Sequence, residues 1–247
     1  MPDMKMYLLP LRNIPVFYDD LIQPEPGTAR SARQVEIPTW SLYIDHPQGK
    51  LLFDTGERYL DDKTLAYDLL TEQLALCGAV PEQIDYLVMS HLHYDHSGKM
   101  ELFQNAKIVV QKRELMDALY EAHAVDPNGI YHKEDLETIT NWYPVEGDLE
   151  LLEGIRLIRL PGHTMGLQGM LVTLPQSGNW IITSDACYTS ENYGPPLRPA
   201  GVVSDIGLYR ASAEKLRRLE MEYHARLLFG HDPFQFARWK KAPKYYR

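Results

Sequence analysis

The sequence predicts an α+β fold in which β-sheets pack together and helices cover them on the outside. Short apolar runs with strand character outnumber the helical patterns along the 247-residue chain. The composition, with 45% hydrophobic and 24% charged residues, is typical of a globular protein and excludes disorder, collagen-like repeats and a coiled coil. A chain of this length fits a single domain, so we expect one domain over residues 1–247.

The first half of the chain combines short strands with a helix. Apolar runs predict strands at residues 6–9, 41–44, 51–53, 86–89 and 107–110. From Lys63 onwards, apolar side chains recur at three- and four-residue steps up to Cys77, and Gly78 follows. This pattern predicts an amphipathic helix that ends at the glycine, with the Cys77 thiol acting as a small apolar group on its buried face.

The later elements follow the same two periods. A second helix is predicted over residues 114–120, and the less periodic stretch 121–142 carries a turn signal at Pro127-Asn128-Gly129. A third helix, over residues 205–223, has an apolar face formed by Tyr209, Ala213, Leu216 and Leu219. Further strands are predicted at residues 155–160, 169–174, 180–183 and 226–229.

Polar residues follow the apolar strands at five places. Strand ends at one edge of a sheet are a usual location for ligand and catalytic groups, because the strands hold them rigidly and leave one side open. We therefore expect one site at a single edge of the sheets, built from Asp54, the segment 91–96, His163, Asp185 and His231.

Charge and cysteine content exclude several classes of function. The formal net charge of −9 argues against binding of nucleic acid through phosphate neutralisation. The apolar runs fall far short of the roughly 20 residues that span a bilayer, so no membrane partner is expected. Two cysteines form no disulfide framework and suit a reducing compartment. Because Pro10 and Pro15 interrupt the apolar amino terminus before a signal-peptide core forms, we expect a cytoplasmic protein.

The segment 91–96, His-Leu-His-Tyr-Asp-His, predicts a metal centre. On an extended segment, His91 and His93 point the same way and can bind one cation, whereas Asp95 and His96, after a turn, can bind a second. Imidazole and carboxylate suit Zn²⁺ first, with Mn²⁺, Fe²⁺ or Co²⁺ as alternatives. A single structural zinc is the competing interpretation, but such sites favour cysteine, and the segment has none. We therefore expect two catalytic cations.

The ordered series of His91-x-His93-x-Asp95-His96, Gly162-His163, Asp185 and Gly230-His231 resembles the ligand series of the metallo-β-lactamase superfamily. The resemblance spans most of the chain and implies an αββα sandwich with a dinuclear metal site at one edge of the sheets. It implies that one metal is held by His91, His93 and His163. It implies that the other is held by Asp95, His96 and His231.

The same resemblance assigns roles to three further groups. Asp185 would bridge the two metals together with a hydroxide. Asp54, in the Asp-Thr-Gly turn, would orient ligand imidazoles, unless it is a simple turn residue. The remaining histidines have no comparable setting and are expected to be ordinary residues: His46, His123, His132 and His224.

The ligand identities exclude some branches of this superfamily. Flavodiiron oxidoreductases carry Glu where His93 stands here, and true β-lactamases usually lack the bridging aspartate that Asp185 supplies. The negative charge counts against the ribonuclease branch. Residues 183–189 resemble the Asp-x-x-Tyr segment of the N-acyl-homoserine lactonases, in which the tyrosine faces the substrate carbonyl. The resemblance therefore implies a zinc hydrolase that opens the ring of a small-molecule lactone, with an N-acyl-homoserine lactone as the first expectation.

The implied mechanism gives two residues catalytic roles. A metal-bridging hydroxide attacks the lactone carbonyl, and the Tyr188 phenol helps to stabilise the oxyanion. Asp95, or a metal-bound water, protonates the leaving alkoxide. A buried structural tyrosine is the alternative for Tyr188. Cys187 departs from the small serine or alanine expected at its position and is interpreted as a small filler beside the site.

Several alternatives remain open from the sequence. Lactonases acting on pyridoxolactone or γ-butyrolactone share these motifs. A thioesterase of the glyoxalase II kind usually carries a helical extension after the core, for which residues 232–247 are too short. A non-catalytic metal-binding protein on the same scaffold is the non-enzyme alternative, and both a monomer and a homodimer are compatible with the sequence. Aromatic residues could line an acyl-chain groove or pack under loops: Phe17, Tyr18, Trp40, Tyr120, Tyr131, Trp142 and Tyr143.

Overall fold

Two β-sheets pack face to face, and helices cover both outer faces. The computed structural model describes residues 2–59, 67–123 and 129–247. The first sheet has strand order β1-β2-β3-β4-β5-β6 and the second has order β11-β10-β9-β8-β7. This αββα arrangement confirms the predicted α+β sandwich.

The first sheet is antiparallel from β1 to β3 and parallel from β3 to β6. In the second sheet the β10–β11 pair is parallel and the other pairs are antiparallel. The strands of the first sheet are β1 (Lys5–Phe17), β2 (Gln34–Asp45), β3 (Leu51–Phe53), β4 (Tyr86–Val88), β5 (Lys107–Gln111) and β6 (Trp142–Val145). Those of the second are β7 (Leu149–Leu152), β8 (Ile155–Arg159), β9 (Gln168–Leu174), β10 (Gly178–Ser184) and β11 (Arg226–Phe229).

The described helices range from single turns to one long element that covers the second sheet. The long helix begins after Asp205, whose side chain accepts a hydrogen bond from the Leu208 N–H at 2.9 Å and so caps the amino end. Short 3₁₀ turns span Pro81–Gln83 and Met100–Leu102. The helices are α1 (Tyr18–Leu21), α2 (Tyr67–Leu76), α3 (Tyr94–Ser97), α4 (Lys112–Glu121), α5 (Lys133–Leu136), α6 (Ser190–Tyr193), α7 (Ile206–Tyr223) and α8 (Pro233–Arg238).

Strand alternation builds three layers of core. In β1, Leu8 faces the second sheet, whereas Leu9 packs in the cluster that includes Leu70 of α2. In β10, Ile182 faces the first sheet and Ile181 packs in the cluster that includes α7. Both faces of each sheet are therefore apolar, which explains why helices cover the two outer faces.

The structure extends several predicted elements. Strands β1 and β2 form a hairpin much longer than the predicted strands at residues 6–9 and 41–44. The strand β1 continues past Pro10 because it is an edge strand with a register shift after this residue, and proline is tolerated at such positions. Strands β6 and β7 and the one-turn helix α5 were not predicted, since they are short and partly exposed. Strand β3 has the predicted bounds.

Two predictions fall partly on residues outside the described ranges. The amphipathic helix is observed as α2, and its predicted beginning at Lys63 lies outside the described residues. Gly78 follows with φ +73°, a left-handed conformation that ends the helix as expected. Cys77 is half-buried rather than fully buried. The predicted turn at Pro127-Asn128 also lies outside the described residues.

Among the described residues, no helix is both long enough and apolar enough to cross a membrane.

Candidate metal centre

Four strand ends deliver a cluster of imidazoles and carboxylates to one edge of the sandwich. The segment 91–96 follows β4 of the first sheet, whereas the other members follow β8, β10 and β11 of the second. Their ligand atoms lie within 4.8 Å of one another in three groups that could each hold a cation. The groups are His91, His93 and His163; His91, His96 and Asp185; and Asp95, His96 and His231. The cluster brings together all seven side chains that the sequence predicted as ligands.

The first group consists of three ring nitrogens that face one another. His163 Nε2 lies 3.2 Å from His91 Nε2 and 3.0 Å from His93 Nδ1. Burial lowers the pKa of His91 and His93 well below the usual range, and the neighbouring imidazoles lower it further. Burial also lowers the pKa of His163. Neutral imidazoles with converging lone pairs form a site that fits a divalent cation.

Asp185 lies between the first group, His91, His93 and His163, and the group of Asp95, His96 and His231, which is called the second group from here on. Its Oδ2 atom is 3.3 Å from His163 Nε2 and 3.5 Å from His96 Nε2, and its Oδ1 atom is 3.1 Å from His231 Nε2. One carboxylate thus contacts members of both groups, with Oδ2 beside His163 and His96 and Oδ1 beside His231, as a bridging ligand would. Among the described residues, His96 Nε2, His231 Nε2 and Asp185 Oδ1 are buried without a well-formed hydrogen bond. Inward-facing polar atoms of this kind fit bound cations.

The electrostatics of the second group also favour positive charge. Burial lowers the pKa of His96, but the carboxylates of Asp185, Asp95 and Asp54 outweigh it and hold that pKa well above its usual range. The pKa of His231 is raised in the same way by Asp185. Burial alone would raise the pKa of Asp185, yet the adjacent imidazoles hold it well below its usual range. The carboxylates therefore attract cations to this position.

The outward nitrogens of the imidazoles are fixed by acceptors. His96 Nδ1 lies 2.8 Å from Asp54 Oδ2, His163 Nδ1 lies 2.9 Å from the Val202 carbonyl, and His231 Nδ1 lies 3.0 Å from the Pro38 carbonyl. With Nδ1 donating, each ring directs its Nε2 lone pair into the cluster. The acceptors therefore select the tautomer that can bind a metal.

Asp54 has a wider role than a turn residue. Besides His96, its carboxylate accepts hydrogen bonds from the Ser90 N–H and the Ser90 hydroxyl, both at 2.7 Å, and Ser90 Oγ lies 3.0 Å from His91 Nδ1. Asp54 has φ +57° and Ser184, next to Asp185, has φ +46°. Left-handed backbone at non-glycine residues is strained, and such strain concentrates at functional sites.

The two predicted catalytic residues both border the cluster. Asp95 Oδ2 lies 3.6 Å from His96 Nε2 and 3.8 Å from His231 Nε2. The Tyr188 hydroxyl lies 3.2 Å from His163 Nδ1, and its side chain is buried. Burial raises the pKa of Tyr188 well above its usual range, so the phenol keeps its proton at neutral pH and can donate it in a hydrogen bond.

A cavity of about 200 Å³ opens over Asp95, Tyr188 and the inner imidazoles. Its wall is mainly aliphatic, and Tyr94 and Asp20 border it as well. The aliphatic residues are Ile14, Val16, Leu21, Ile37, Ile130 and Val202. The seven aromatic residues considered from the sequence all lie in the described ranges, and none of them lines this cavity. Tyr18 lines an adjacent groove of about 250 Å³ that shares Leu21 and Ile37 with the cavity.

Some residues around the site were not predicted, and others stay outside it as expected. Ser90, Glu114, Thr164 and Gln168 are buried polar residues beneath the cluster. No motif spacing distinguishes them, although Ser90 and Thr164 directly adjoin ligand histidines in the sequence. The four histidines expected to be ordinary join none of the metal-binding groups found among the described residues. One of them, His132, stacks on Tyr94 with ring centroids 5.1 Å apart.

Comparison with known proteins identifies the class to which this fold and site belong. A family model described as the metallo-beta-lactamase superfamily matches residues 35–231, so the chain belongs to this superfamily. The resemblance inferred from the histidine motif is thereby confirmed.

The similar proteins include N-acyl homoserine lactonases. An N-acyl homoserine lactonase from Bacillus sp. is 32% identical over 238 residues, covering 89% of this chain and 91% of the relative. The N-acyl homoserine lactonase AiiB of Agrobacterium fabrum is 31% identical over 240 residues, with 87% of each chain covered. A solved N-acyl homoserine lactone hydrolase, with the product N-hexanoyl-L-homoserine bound at its catalytic metal centre, superposes with a TM-score of 0.86. It is 26% identical and covers 100% of both chains.

Proposed function

We propose that this chain is a metal-dependent hydrolase that opens the ring of N-acyl homoserine lactones. The observation that carries the proposal is the position of the Tyr188 phenol, which borders a mainly aliphatic cavity directly beside the histidine and carboxylate cluster. The relatives that the chain matches over most of its length are N-acyl homoserine lactonases, which supports the same substrate class.

The donor set supports a specific assignment of ligands. One cation would be held by His91, His93 and His163, and the other by Asp95, His96 and His231, with Asp185 within reach of both. Five imidazoles and two carboxylates without cysteine favour zinc, a borderline cation that takes nitrogen and oxygen donors. Two such cations supply Lewis-acid activation of water and polarisation of the lactone carbonyl at neutral pH.

The chain's own residues supply orientation and proton transfer. The Tyr188 hydroxyl donates a hydrogen bond to the carbonyl oxygen and stabilises the negative charge that develops there. Asp95, at the solvent-facing side of the cluster, takes a proton from the attacking water and passes it to the ring oxygen as the carbon–oxygen bond breaks. The aliphatic wall holds the acyl chain and excludes water from the reacting carbonyl.

A pH-stat assay of the zinc-loaded protein tests this function. The panel contains N-acyl homoserine lactones of several chain lengths, γ-butyrolactone, pyridoxolactone and a glutathione thioester. We expect ring opening of the acyl-homoserine lactones with the highest kcat/KM, and about two zinc ions per chain by metal analysis. Thioester hydrolysis without lactone opening would overturn the proposal.

A matched pair of histidine variants completes the experiment. His231→Ala removes a member of the cluster, whereas His123→Ala removes an exposed histidine far along the chain from it. We expect the first variant to lose about one zinc ion per chain and almost all activity, and the second to resemble the parent protein. Equal behaviour of the two variants would contradict the ligand assignment.

A further inference from the structure

A buried glutamate outside the metal cluster connects the loops that carry three of its imidazoles. Glu114 lies in the first turn of α4 with its side chain fully buried. The mechanism above uses neither its charge nor its proton. Isolated buried carboxylates are costly, so one that is retained has its oxygens occupied by donors.

The Glu114 carboxylate accepts hydrogen bonds from separate parts of the chain. Oε1 receives the Leu92 N–H at 3.0 Å and the Tyr131 hydroxyl at 3.2 Å, and Oε2 receives the Thr164 hydroxyl at 2.5 Å. The nearby backbone N–H of Gly166 also acts to lower the pKa of this carboxyl group. Burial raises the pKa of Glu114 to about 7, although these hydrogen bonds act to lower it.

Close packing reinforces the same connection. A Cβ atom added to Gly166 would lie 2.2 Å from the Glu114 backbone nitrogen, so the loop after His163 rests directly on the beginning of α4. A side chain at this position would push the loop away from the helix. The glycine and the carboxylate therefore hold the same two segments together, one by close approach and the other by hydrogen bonds.

Each partner of Glu114 is adjacent to a histidine of the first group. Leu92 lies between His91 and His93, and Thr164 directly follows His163. Tyr131 places its ring 4.9 Å from the His93 ring, edge to face.

The second group has different supports. Asp54 holds His96, and the Pro38 carbonyl holds His231. Among the described residues, no hydrogen bond joins Glu114 to Asp54 or to Pro38.

We propose that Glu114 is a positioning residue that sets the spacing of His91, His93 and His163, and with it the affinity of the first cation position. The inference rests on the proposed metal site. A carboxylate is required because its ionised form only accepts, and the three partners Leu92, Tyr131 and Thr164 all donate. A glutamine would turn an NH₂ group towards donors on one side, and an apolar residue would leave the donors unpaired.

Two variants, each lacking one histidine of the cluster, allow metal binding at the two cation positions to be measured separately. In a His231→Ala background the first group remains, and in a His93→Ala background the second group remains. Each background is titrated with Co²⁺ against a chromophoric chelator, and the visible spectrum of bound Co²⁺ is recorded. We expect Glu114→Gln to weaken Co²⁺ binding about tenfold and to shift the spectrum in the first background. In the second background we expect a change of less than about twofold.

A buried carboxylate elsewhere provides the control for stability. Asp135 on α5 is fully buried and pairs with Arg58 at 2.5 Å, and none of its hydrogen bonds among the described residues involves Glu114 or the Glu114 partners. We expect Asp135→Asn to lower Tm while leaving Co²⁺ affinity unchanged in both backgrounds. If Glu114→Gln behaves like Asp135→Asn, or weakens both positions equally, the positioning role is wrong.

A second pair of variants decides the question if Glu114→Gln does not fold. Thr164→Val removes one donor to the carboxylate, and Thr164→Ser restores it. We expect the valine variant to weaken Co²⁺ binding at the first position and the serine variant to recover it. Equal affinities for the two variants would overturn the inference. Absence of metal and lactonase activity in the parent protein would instead refute the proposed function, so the two failures are distinguishable.

Discussion

Asp54 Oδ2 and His96 Nδ1 lie 2.8 Å apart, both buried, beneath the metal cluster. Because the same carboxylate accepts two hydrogen bonds from Ser90, whose hydroxyl contacts His91 Nδ1, one aspartate orients imidazoles of both cation groups. Carboxylates behind ligand imidazoles fix the tautomer and raise the basicity of the ligand.

Replacement of Asp54 by asparagine, which has nearly the same size, should therefore weaken metal binding without leaving a cavity in the core. We expect Asp54→Asn to raise the dissociation constant of the second cation by about 10–100-fold, because the His96 ring loses its anionic acceptor. Competition with a chelator measures this, and Asp148→Asn on an exposed ion pair is the control. An unchanged dissociation constant would show that Asp54 is only a turn residue.

Tyr188→Phe tests the phenol without disturbing its packing. We expect kcat/KM for acyl-homoserine lactones to fall roughly a hundredfold, because a donor to the developing oxyanion is lost. Zinc content should stay at the parent value, since the hydroxyl belongs to none of the ligand groups. If kcat/KM changes less than about threefold, Tyr188 has a structural role instead.

Metal removal should lower stability as well as activity. A ligand present at about 100 times its dissociation constant stabilises the native state by about 3 kcal/mol, so chelation should lower Tm by roughly 6–12 °C. Differential scanning fluorimetry with and without chelator measures the shift, and added Zn²⁺ should reverse it. The His93→Ala variant, which lacks a ligand, should show a smaller shift. A shift as large in that variant as in the parent would contradict this coupling.

The buried Lys99 amine predicts an alkaline pH dependence of stability. Its ammonium group donates to the Thr55 carbonyl at 3.0 Å, and burial lowers the Lys99 pKa to about 8, although the carboxylate of Glu57 acts to raise it. Between pH 8 and the unfolded value of about 10.5, the unfolded chain binds a proton that the folded chain does not. The free energy of unfolding should therefore rise with pH in this window, by up to about 3 kcal/mol.

The variant Lys99→Met removes that titration. Urea unfolding of both proteins between pH 7.5 and 10 should give curves that diverge as the pH rises, with the parent gaining stability relative to the variant. Cysteine and tyrosine groups titrate in both proteins and cancel in the comparison. Parallel curves would mean that Lys99 is not deprotonated in the folded state.

Leu21 predicts a dependence on acyl-chain length. Its buried side chain lines both the cavity and the adjacent groove, so a long acyl chain that leaves the first enters the second past this residue. We expect Leu21→Ala to lower kcat/KM about fivefold for long-chain lactones, by loss of about 1 kcal/mol of apolar contact, and to leave butanoyl substrates within twofold. Leu119→Ala, on the exposed face of α4, is the matched control. Equal effects on short and long chains would contradict this path.

The metal cluster was predictable because the type and spacing of its residues are visible in the sequence itself. His91, His93 and His96 lie within six residues, and His163, Asp185 and His231 each follow an apolar strand directly. Strand ends share an edge, so their proximity follows from topology without knowledge of the packing. The pattern of strands and helices predicted packed sheets with helices outside, and the family resemblance implied the αββα order of the layers.

The walls and supports of the site were not predictable in this way. Ile14 and Ile37 pair with each other in the part of the β1–β2 hairpin that lies beyond the predicted strands, and this pairing continues to Phe17. Their place in the cavity depends on this continuation past Pro10. Glu114 and Ser90 act through hydrogen bonds to backbone and hydroxyl groups that come together only after the sheets and loops have docked.

The cluster draws its members from opposite halves of the sandwich. Four proposed ligands follow β4 of the first sheet, and three follow strands of the second. Bound cations would therefore cross-link the two sheets, and they can do so only when the sheets are aligned. Folding of the metal-loaded protein should then be one cooperative event, in which the two sheets pack together and the metal site forms in the same step. Slippage of either half would release the cations, so an enzyme of this design cannot remain active while partly open.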